Sequence, residues 1–304
     1  MYSLQDAERL RSRILELLES ADRKSGPAGK TDLRFVIVGA GATGVETAGA
    51  MADILQRMPK HLYPNLDLST ASITLVDMGT KVLPPFTEKS QNYAAHILSE
   101  RGVTLRLGVS VKEVTASDVL LSDGSRLQSE LIVWAGGLKA SGLSGSLGIR
   151  PGHGGRINVQ PDLTVAGYPG VYAVGDFANV NGEDGKSLPQ LASVAQQAGR
   201  QCADNIAAHV SGKEQKPFAY LDKGIMAMVG RNAAVAEIGS SHHPIIGVFA
   251  FAAWLGVHAV LLTTVRAKMD AFFEWAWDYF GSVHVSPVLD RPSVDWAPEK
   301  QTAP

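Results

Sequence analysis

The spacing of apolar positions predicts a helix at the start of the chain: Leu10, Ile14, Leu17 and Leu18 recur at helical intervals in an otherwise charged segment, and Ser3 with Asp6 has the form of a capping box. Residues 22–33, dense in glycine, proline and charge, predict a linker. The apolar run Phe35 to Val38 then predicts a buried strand, Val45 to Met58 a helix ended by Pro59, and residues 71–77 a second, β-branched strand. Strand, helix and strand in that order imply a parallel unit. A helix over Glu88 to Arg101 and a strand from Val103 follow. Residues 113–135 alternate short apolar runs around the turn Asp123-Gly124, which predicts a meander appended to the parallel unit. GVYAVGD, residues 170–176, reads as a further buried strand, closed by a helix from Gln190 to Val210.

Ile245 to Val265 carries no Asp, Glu, Lys or Arg over 21 residues, which reaches the length of a membrane-spanning helix, although His258, two glycines and two threonines weaken that pattern. The next stretch sets Asp270, Glu274 and Asp278 on one helical stripe and Met269, Phe273, Trp277 and Phe280 on another. Such a helix can lie flat in a membrane interface with its aromatic residues at headgroup depth, and its acidic polar face means that anionic lipid would not assist. A buried helix pair, in a homodimer or in the core, is the competing reading. His242-His243-Pro244 reads as a turn, and His258 as a packed helix residue, since no second ligand stands at metal-binding spacing.

Composition narrows the chemistry. Twenty-eight Lys plus Arg against 30 Asp plus Glu give a formal charge of -2, so there is no basic field to gather nucleic acid. Cys202 is the single cysteine, which excludes an internal disulfide, a paired-thiol redox centre and a Cys-rich metal site; it reads as a small buried hydrophobe. Electron chemistry would need a borrowed cofactor. The charged N-terminal segment lacks the apolar core of a secretory signal, so the bulk of the chain reads as cytoplasmic.

The stretch RFVIVGAGATGVETAG carries the most specific chemistry. Gly39 allows a tight strand-to-helix turn, Gly41 lets backbone approach a pyrophosphate, and Gly44 lets the helix pack closely on the strand, with Ala42 and Thr43 supplying the first turn between them. Free N–H groups and the dipole at that helix start would meet the phosphates. An acid, Asp77, closes the second strand 33 residues beyond Gly44; the usual spacing is about 20, and the excess is carried by MPKHLYPNLDLST, an insertion before the strand. A carboxylate there accepts from a ribose hydroxyl and repels a 2′-phosphate, which favours NADH over NADPH. Two readings stand for Glu46: good electrostatics in a first helical turn, or a carboxylate beside the nicotinamide.

GAGATGVETAG, LVDMGTKVLPPF, LIVWAGGLKA, GVYAVGDFA, LPQLASVAQQAG and YLDKGIMAMVGRNAAVAEI, in that order and spacing, resemble the type II NADH dehydrogenases, single-chain flavoproteins that pass electrons from NADH to a membrane quinone. The resemblance runs from about Ser3 to about Tyr279 and implies an α/β, Rossmann-type fold for two dinucleotides, with an NADH domain inserted into an FAD domain and a C-terminal amphipathic helical segment for membrane association. It divides the chain into a connecting helix and linker (1–33), an NADH-binding domain (34–135), the later part of an FAD-binding domain (136–240), and a membrane-association segment with its tail (241–304). It implies that Gly39, Gly41, Ala42, Thr43, Gly44 and Asp77 hold NADH and that Gly136 lies near the nicotinamide. Gly175 and Asp176 would form the second flavin motif, for which a turn or cap aspartate is the plainer reading. Leu191 and Ala192 begin the helix whose backbone would face the flavin, and they stand where the family has alanine and glutamine. Gln196 matches the family's second glutamine, at the quinone site, or else faces solvent; Lys223 matches a lysine near the flavin, or else sits in a surface turn. Glu46 would be the proton-handling or orienting carboxylate, and no metal is implied. Disulfide reductases and sulfide:quinone oxidoreductases of the same fold work through cysteine pairs, and Cys202 has no mate.

The implied function is therefore NADH:quinone oxidoreduction with FAD, on the cytoplasmic side of the cell membrane as a peripheral, monotopic protein that meets a lipid bilayer surface and a membrane quinone. The family uses two phosphate loops and this sequence displays one, so the expectation is a truncated or fragmentary member. Two alternatives follow: a flavin-free NADH-binding, membrane-attached module without activity, or a separate N-terminal FAD-binding portion that completes the enzyme.

Overall fold

The computed structural model describes residues 3–24, 33–58 and 60–280. By contact the chain divides into two units. The first comprises Met1–Gly136, Met226–Ala236 and Pro244–Pro304, and the second Gly137–Ile225 and Glu237–His243.

In the first unit α1 (Leu4–Lys24) opens with the reciprocal bonds of a capping box: Asp6 N–H donates to Ser3 Oγ at 3.1 Å, and Ser3 N–H to Asp6 Oδ2 at 3.0 Å. Ile14, Leu15 and Leu18 are its buried face, so the stripe is turned slightly from the one that the spacing predicts. Its far end is tied to the insertion before the second strand, where the Asn65 N–H donates to Asp22 at 2.8 Å. The linker expected at 22–33 falls largely outside the described residues, as does Pro59.

Next come β1 (Arg34–Val38), α2 (Ala42–Arg57), β2 (Ser72–Asp77), α3 (Glu88–Glu100) and β3 (Val103–Leu107). The antiparallel meander β4 (Val111–Val114), β5 (Asp118–Leu121) and β6 (Arg126–Gln128) follows, and then β7 (Leu131–Trp134). β7 does not extend the meander, as the sequence pattern suggested. It pairs in parallel with β1, from Phe35 opposite Leu131 to Val38 opposite Trp134, and gives a four-stranded parallel sheet of order β3-β2-β1-β7. The two strand starts are clamped: the Arg34 N–H donates to Glu130 at 2.7 Å, and the Arg34 guanidinium pairs with the same carboxylate at 2.8 Å. One sheet face, Val36, Val38 and Val76, packs on Val119 and Leu121 of the meander. Phe35, Ile37 and Leu75 alternate with these residues, as the two-residue period of a strand requires, and are buried too, so both faces are covered.

The first unit ends in three pieces. β10 (Gly224–Gly230), β11 (Ala233–Ile238) and β12 (His243–Ile246) form a three-stranded sheet whose ends belong to the second unit, and α6 (Val248–Leu261) and α7 (Val265–Phe280) follow. Ile245 to Val265 is therefore broken, and the described residues contain no helix long and apolar enough to cross a membrane. The physical reason is local. Gly247 takes φ 80°, ψ −146°, its N–H donates to the Ala234 carbonyl at 2.9 Å, and Leu262 is extended. Of the expected His-His-Pro turn only His242 is in the turn, at φ 48°; His243 and Pro244 open β12, an edge strand where the missing proline N–H is tolerated.

The second unit holds α4 (Leu143–Ser146), β8 (Ile157–Asn158), β9 (Ala178–Asn179) and α5 (Ala192–Val210). Residues 170–176 are not the expected strand. Apart from one antiparallel bridge, Tyr172 to Thr164, they form no strand, and Gly175 and Asp176 start a 3-10 helix that runs to Phe177, because the described residues bring no further partner strand alongside. Their apolar character serves packing: Ala173 joins Ile157, Leu163, Val165, Ala198 and Cys202 in one core, which places Cys202 where a buried hydrophobe was expected.

Candidate functional site

The three glycines of the β1–α2 turn stand in different surroundings. Gly39 has φ +107°, and a β-carbon on it would overlap the Ala135 carbonyl oxygen and come within 2.9 Å of the Gly136 nitrogen. Gly44 lies against Gly39, so that a β-carbon there would overlap the Gly39 carbonyl oxygen. Gly41, the residue that caps α2, has ordinary φ −70° and open space where a β-carbon would project. Gly39 and Gly44 are thus demanded by packing of the protein on itself, while the space at Gly41 is left for something else. Ala42 and Thr43 are exposed at the head of α2, where the first-turn N–H groups have no intrahelical acceptor and no side chain caps them. Such a helix start favours an anion.

Asp77, at the end of β2, reaches the same turn. Its Oδ2 accepts from the Ala40 N–H at 2.7 Å and its Oδ1 from the Gly79 N–H at 2.6 Å. The long insertion therefore leaves this carboxylate beside the glycine turn. Gly136 is exposed on the other side of β1, just past the end of β7, and its Cα rests against the Trp134 indole.

Glu46 is half-buried in α2. Its Oε1 accepts from the Met228 N–H of β10 at 3.0 Å, and burial pushes its carboxyl above the ordinary value; the Met228 N–H, the charge of His258 and a hydrogen bond from the Trp254 side chain oppose that rise. His258 stacks on the Trp254 indole at 3.7 Å between ring centres, and its Nδ1 bonds the Trp254 carbonyl at 2.7 Å, so it is packed within its own helix. Sequence reasoning missed this contribution of β10 and α6 to Glu46. One signal existed: Glu46, Gly49 and Asp53 recur at helical spacing along α2. All three face the β10–β11 hairpin: a β-carbon at Gly49 would overlap the Val229 carbonyl oxygen, and Asp53 accepts from the Arg231 N–H at 2.7 Å while pairing with Arg101. The Arg231 guanidinium in turn sits over the Tyr279 ring at 4.7 Å and donates to the Tyr279 carbonyl, which ties α7 to the same hairpin.

In the second unit, Gly175 (φ +68°) and Asp176 border a recess with Arg156, Gln190 and Leu191. The Gln190 Nε2 donates to the Asp176 carbonyl at 2.9 Å, Leu191 precedes α5 without a side-chain cap, and Ala192 is exposed at its start. The structure thus brings Gly175, Asp176, Leu191 and Ala192 together. Gln196 is exposed one turn further along α5. Its neighbour Gln197 is the glutamine with a structural task, bonding both the N–H and the carbonyl of Leu221 at 3.0 and 2.9 Å. Lys223 is exposed two residues on, and its carbonyl accepts from the Gly239 N–H at 3.1 Å. Nearby, the His242 ring stands 3.1 Å from Glu237 and 3.2 Å from Asp222. The described residues contain no group of side chains suited to a metal ion.

A family profile described as pyridine nucleotide-disulphide oxidoreductase matches residues 2–199. Two proteins of Mycobacterium tuberculosis, the type II NADH:quinone oxidoreductases Ndh and NdhA, are 37% identical over 287 residues and 35% over 295. The matches take in 90% and 92% of this chain but 60% and 61% of theirs, so the chain spans about 60% of the length of these curated relatives. Among solved structures, NDH2 of Plasmodium falciparum in complex with NADH superposes with a TM-score of 0.79, covering 92% of this chain and 73% of that one; at 17% identity this is a likeness of fold.

Proposed function

The chain belongs to the pyridine nucleotide-disulphide oxidoreductase family, and on that premise we propose that it serves NADH:quinone oxidoreduction at a membrane surface. The observation that carries the reading is the division of labour in the glycine turn, where Gly39 and Gly44 are filled by the protein's own backbone and Gly41 faces open space at an uncapped helix start. A dinucleotide diphosphate suits that opening. Gly41, Ala42 and Thr43 would meet the diphosphate over the turn that Gly39 and Gly44 shape, Asp77 a ribose hydroxyl, and Gly136 the nicotinamide end.

For FAD the recess of the second unit is the fitting place. An exposed carboxylate at Asp176, a left-handed Gly175 and the uncapped first turn of α5 suit a polyol chain and the polar edge of a flavin. Gly175, Asp176, Leu191, Ala192 and Lys223 would hold it, and when bound FAD supplies the ring that accepts a hydride from NADH and passes electrons to a quinone. Gln196 would face the quinone. Glu46, whose carboxyl is raised above its ordinary value by burial, is the residue suited to hold or release a proton during turnover. A lone cysteine leaves the disulfide chemistry in the family's name without a pair in this chain.

Membrane association is supported by the apolar residues that α6 and α7 turn to solvent: Phe249 is 82% exposed, Trp277 66% and Phe273 61%. The side would be cytoplasmic and the attachment peripheral. A flavin-free NADH-binding module is the second reading, since the glycine turn and Asp77 suit NADH by themselves. Two measurements separate the readings. A purified chain with flavin-type absorption that also binds NADH supports the oxidoreductase, and a colourless chain that binds NADH supports the module. A folded chain in which calorimetry detects no NADH binding overturns both.

A further inference from the structure

The nucleotide site just proposed has a direction, and the direction leads to a residue without a role so far. The strand order β3-β2-β1-β7 places β2 and β3 on one side of β1 and β7 on the other. Connections from β1 and toward β7 therefore leave the sheet in opposite senses, and in an open α/β sheet the ligand crevice lies where that happens, outside the carboxyl ends of the strands. Asp77 closes β2, so a ribose at its carboxylate fixes the adenosine half on that side. The diphosphate crosses at Gly41. The nicotinamide half must then run over the end of β1 toward β7.

Trp134 is the last residue of β7, opposite Val38 in register. It is 49% exposed, whereas its neighbour Val133 is buried on the other face of the sheet. A glycine leaves room for its ring. A β-carbon on Gly136 would stand 3.1 Å from the indole nitrogen, 3.3 Å from Cε2 and 3.5 Å from Cζ2, so the bare Cα of Gly136 is what lets the ring lie across the exit of β7. Directly beside it the Ala135 N–H donates to the Val38 carbonyl at 2.7 Å, and Ala135 fills the space against Gly39, which closes the floor between the two strand exits. The crevice thus has a packed floor, a phosphate-accepting side at Gly41 and an indole on the far side.

We propose that Trp134 is a specificity-determining residue for the nicotinamide half of the dinucleotide, its indole forming the wall of the crevice at the end of β7 and packing against the nicotinamide ring. Flat, polarisable rings stack on an indole, and a Trp held by its own backbone loses little freedom in doing so. The inference rests on the dinucleotide reading of the glycine turn.

The test compares two ligands that share the adenosine diphosphate and the second ribose but differ in the nicotinamide: NADH and ADP-ribose, titrated by calorimetry into the wild-type chain, W134A and W134F. The expected result is that W134A weakens NADH about three- to tenfold, leaves ADP-ribose within about twofold, and that W134F keeps most of the NADH affinity. Energy transfer from tryptophan fluorescence to bound NADH should also fall in W134F. Equal losses for both ligands, or no loss for NADH, overturn the role of Trp134 while leaving the glycine-turn site intact. A wild-type chain that binds neither nucleotide overturns the site and the role together.

Discussion

Gly44 rests against Gly39 so closely that a β-carbon on Gly44 would stand 2.9 Å from the Gly39 carbonyl carbon and overlap its oxygen. Neither partner is the end of a flexible side chain, so Gly44→Ala must move backbone at the turn itself. The expected cost is about 2–3 kcal/mol, or a fall in melting temperature of roughly 5–10 °C. Differential scanning calorimetry reads it, and an unchanged transition would show that the helix does not pack on the turn as described.

Gly41→Ala separates binding from folding. A β-carbon there meets nothing within 4 Å and the backbone is in an ordinary region. The melting temperature should stay within about 3 °C, while NADH affinity drops roughly tenfold or more because the methyl group occupies the approach of the diphosphate. An Ala variant that binds NADH like the wild type would place the diphosphate elsewhere.

Asp77 does two things at once, holding the Ala40 and Gly79 N–H groups and presenting charge beside the turn. Asp77→Asn keeps one oxygen acceptor and removes the charge. The preference for NADH over NADPH, measured as a ratio of dissociation constants, should fall by roughly tenfold with a modest loss of stability. A ratio that does not move would assign discrimination to another residue.

For Glu46 the prediction is one of pH. Burial holds its folded-state carboxyl above the ordinary 4.5, with the Met228 N–H working in the opposite direction. The stability that the neutral acid contributes is complete below 4.5 and is lost as pH climbs through the raised value. Glu46→Gln cannot titrate and still accepts from the Met228 N–H. The melting temperature of the variant minus that of the wild type should rise with pH across that window and level off above it. A difference that is flat with pH would mean that Glu46 ionises as a solvent carboxylate does. In a flavin-loaded protein the same variant should slow quinone reduction more than it weakens NADH.

Membrane association can be tested without turnover. Phe273→Glu with Trp277→Glu should abolish sedimentation with vesicles, since both side chains are exposed on α7. Because Asp270 and Glu274 are exposed on the same helix, adding anionic lipid to zwitterionic vesicles should not strengthen binding.

What could be read from the residue order was mostly local. The glycine turn, the strands on either side of it and the helix after it follow from spacing, because Gly39 and Gly44 answer constraints set within a few residues or by an adjoining strand. β7 illustrates the limit: its apolar run predicts a strand, but its pairing with β1, clamped by Arg34 and Glu130 from 96 residues apart, is not visible in local spacing. Residues 170–176 look like a strand in isolation, yet among the described residues only a bridge from Thr164 to Tyr172 reaches them. Ile245 to Val265 is uniformly apolar, yet Gly247 breaks it because its N–H belongs to Ala234, a partner that hydropathy cannot see. Likewise the N–H that Glu46 accepts from belongs to Met228, 182 residues later, a partner that local spacing does not show.

The face of α2 that carries Glu46, Gly49 and Asp53 is keyed to the backbone of residues 228–231 at three successive heights. A helix turns about 100° per residue, so one residue added or removed between Gly44 and Asp53 would swing every downstream tooth out of its notch while leaving the hydrophobic content untouched. Homologous chains should accordingly tolerate length changes in the 58–70 insertion and none within this ratchet, whatever nucleotide they bind.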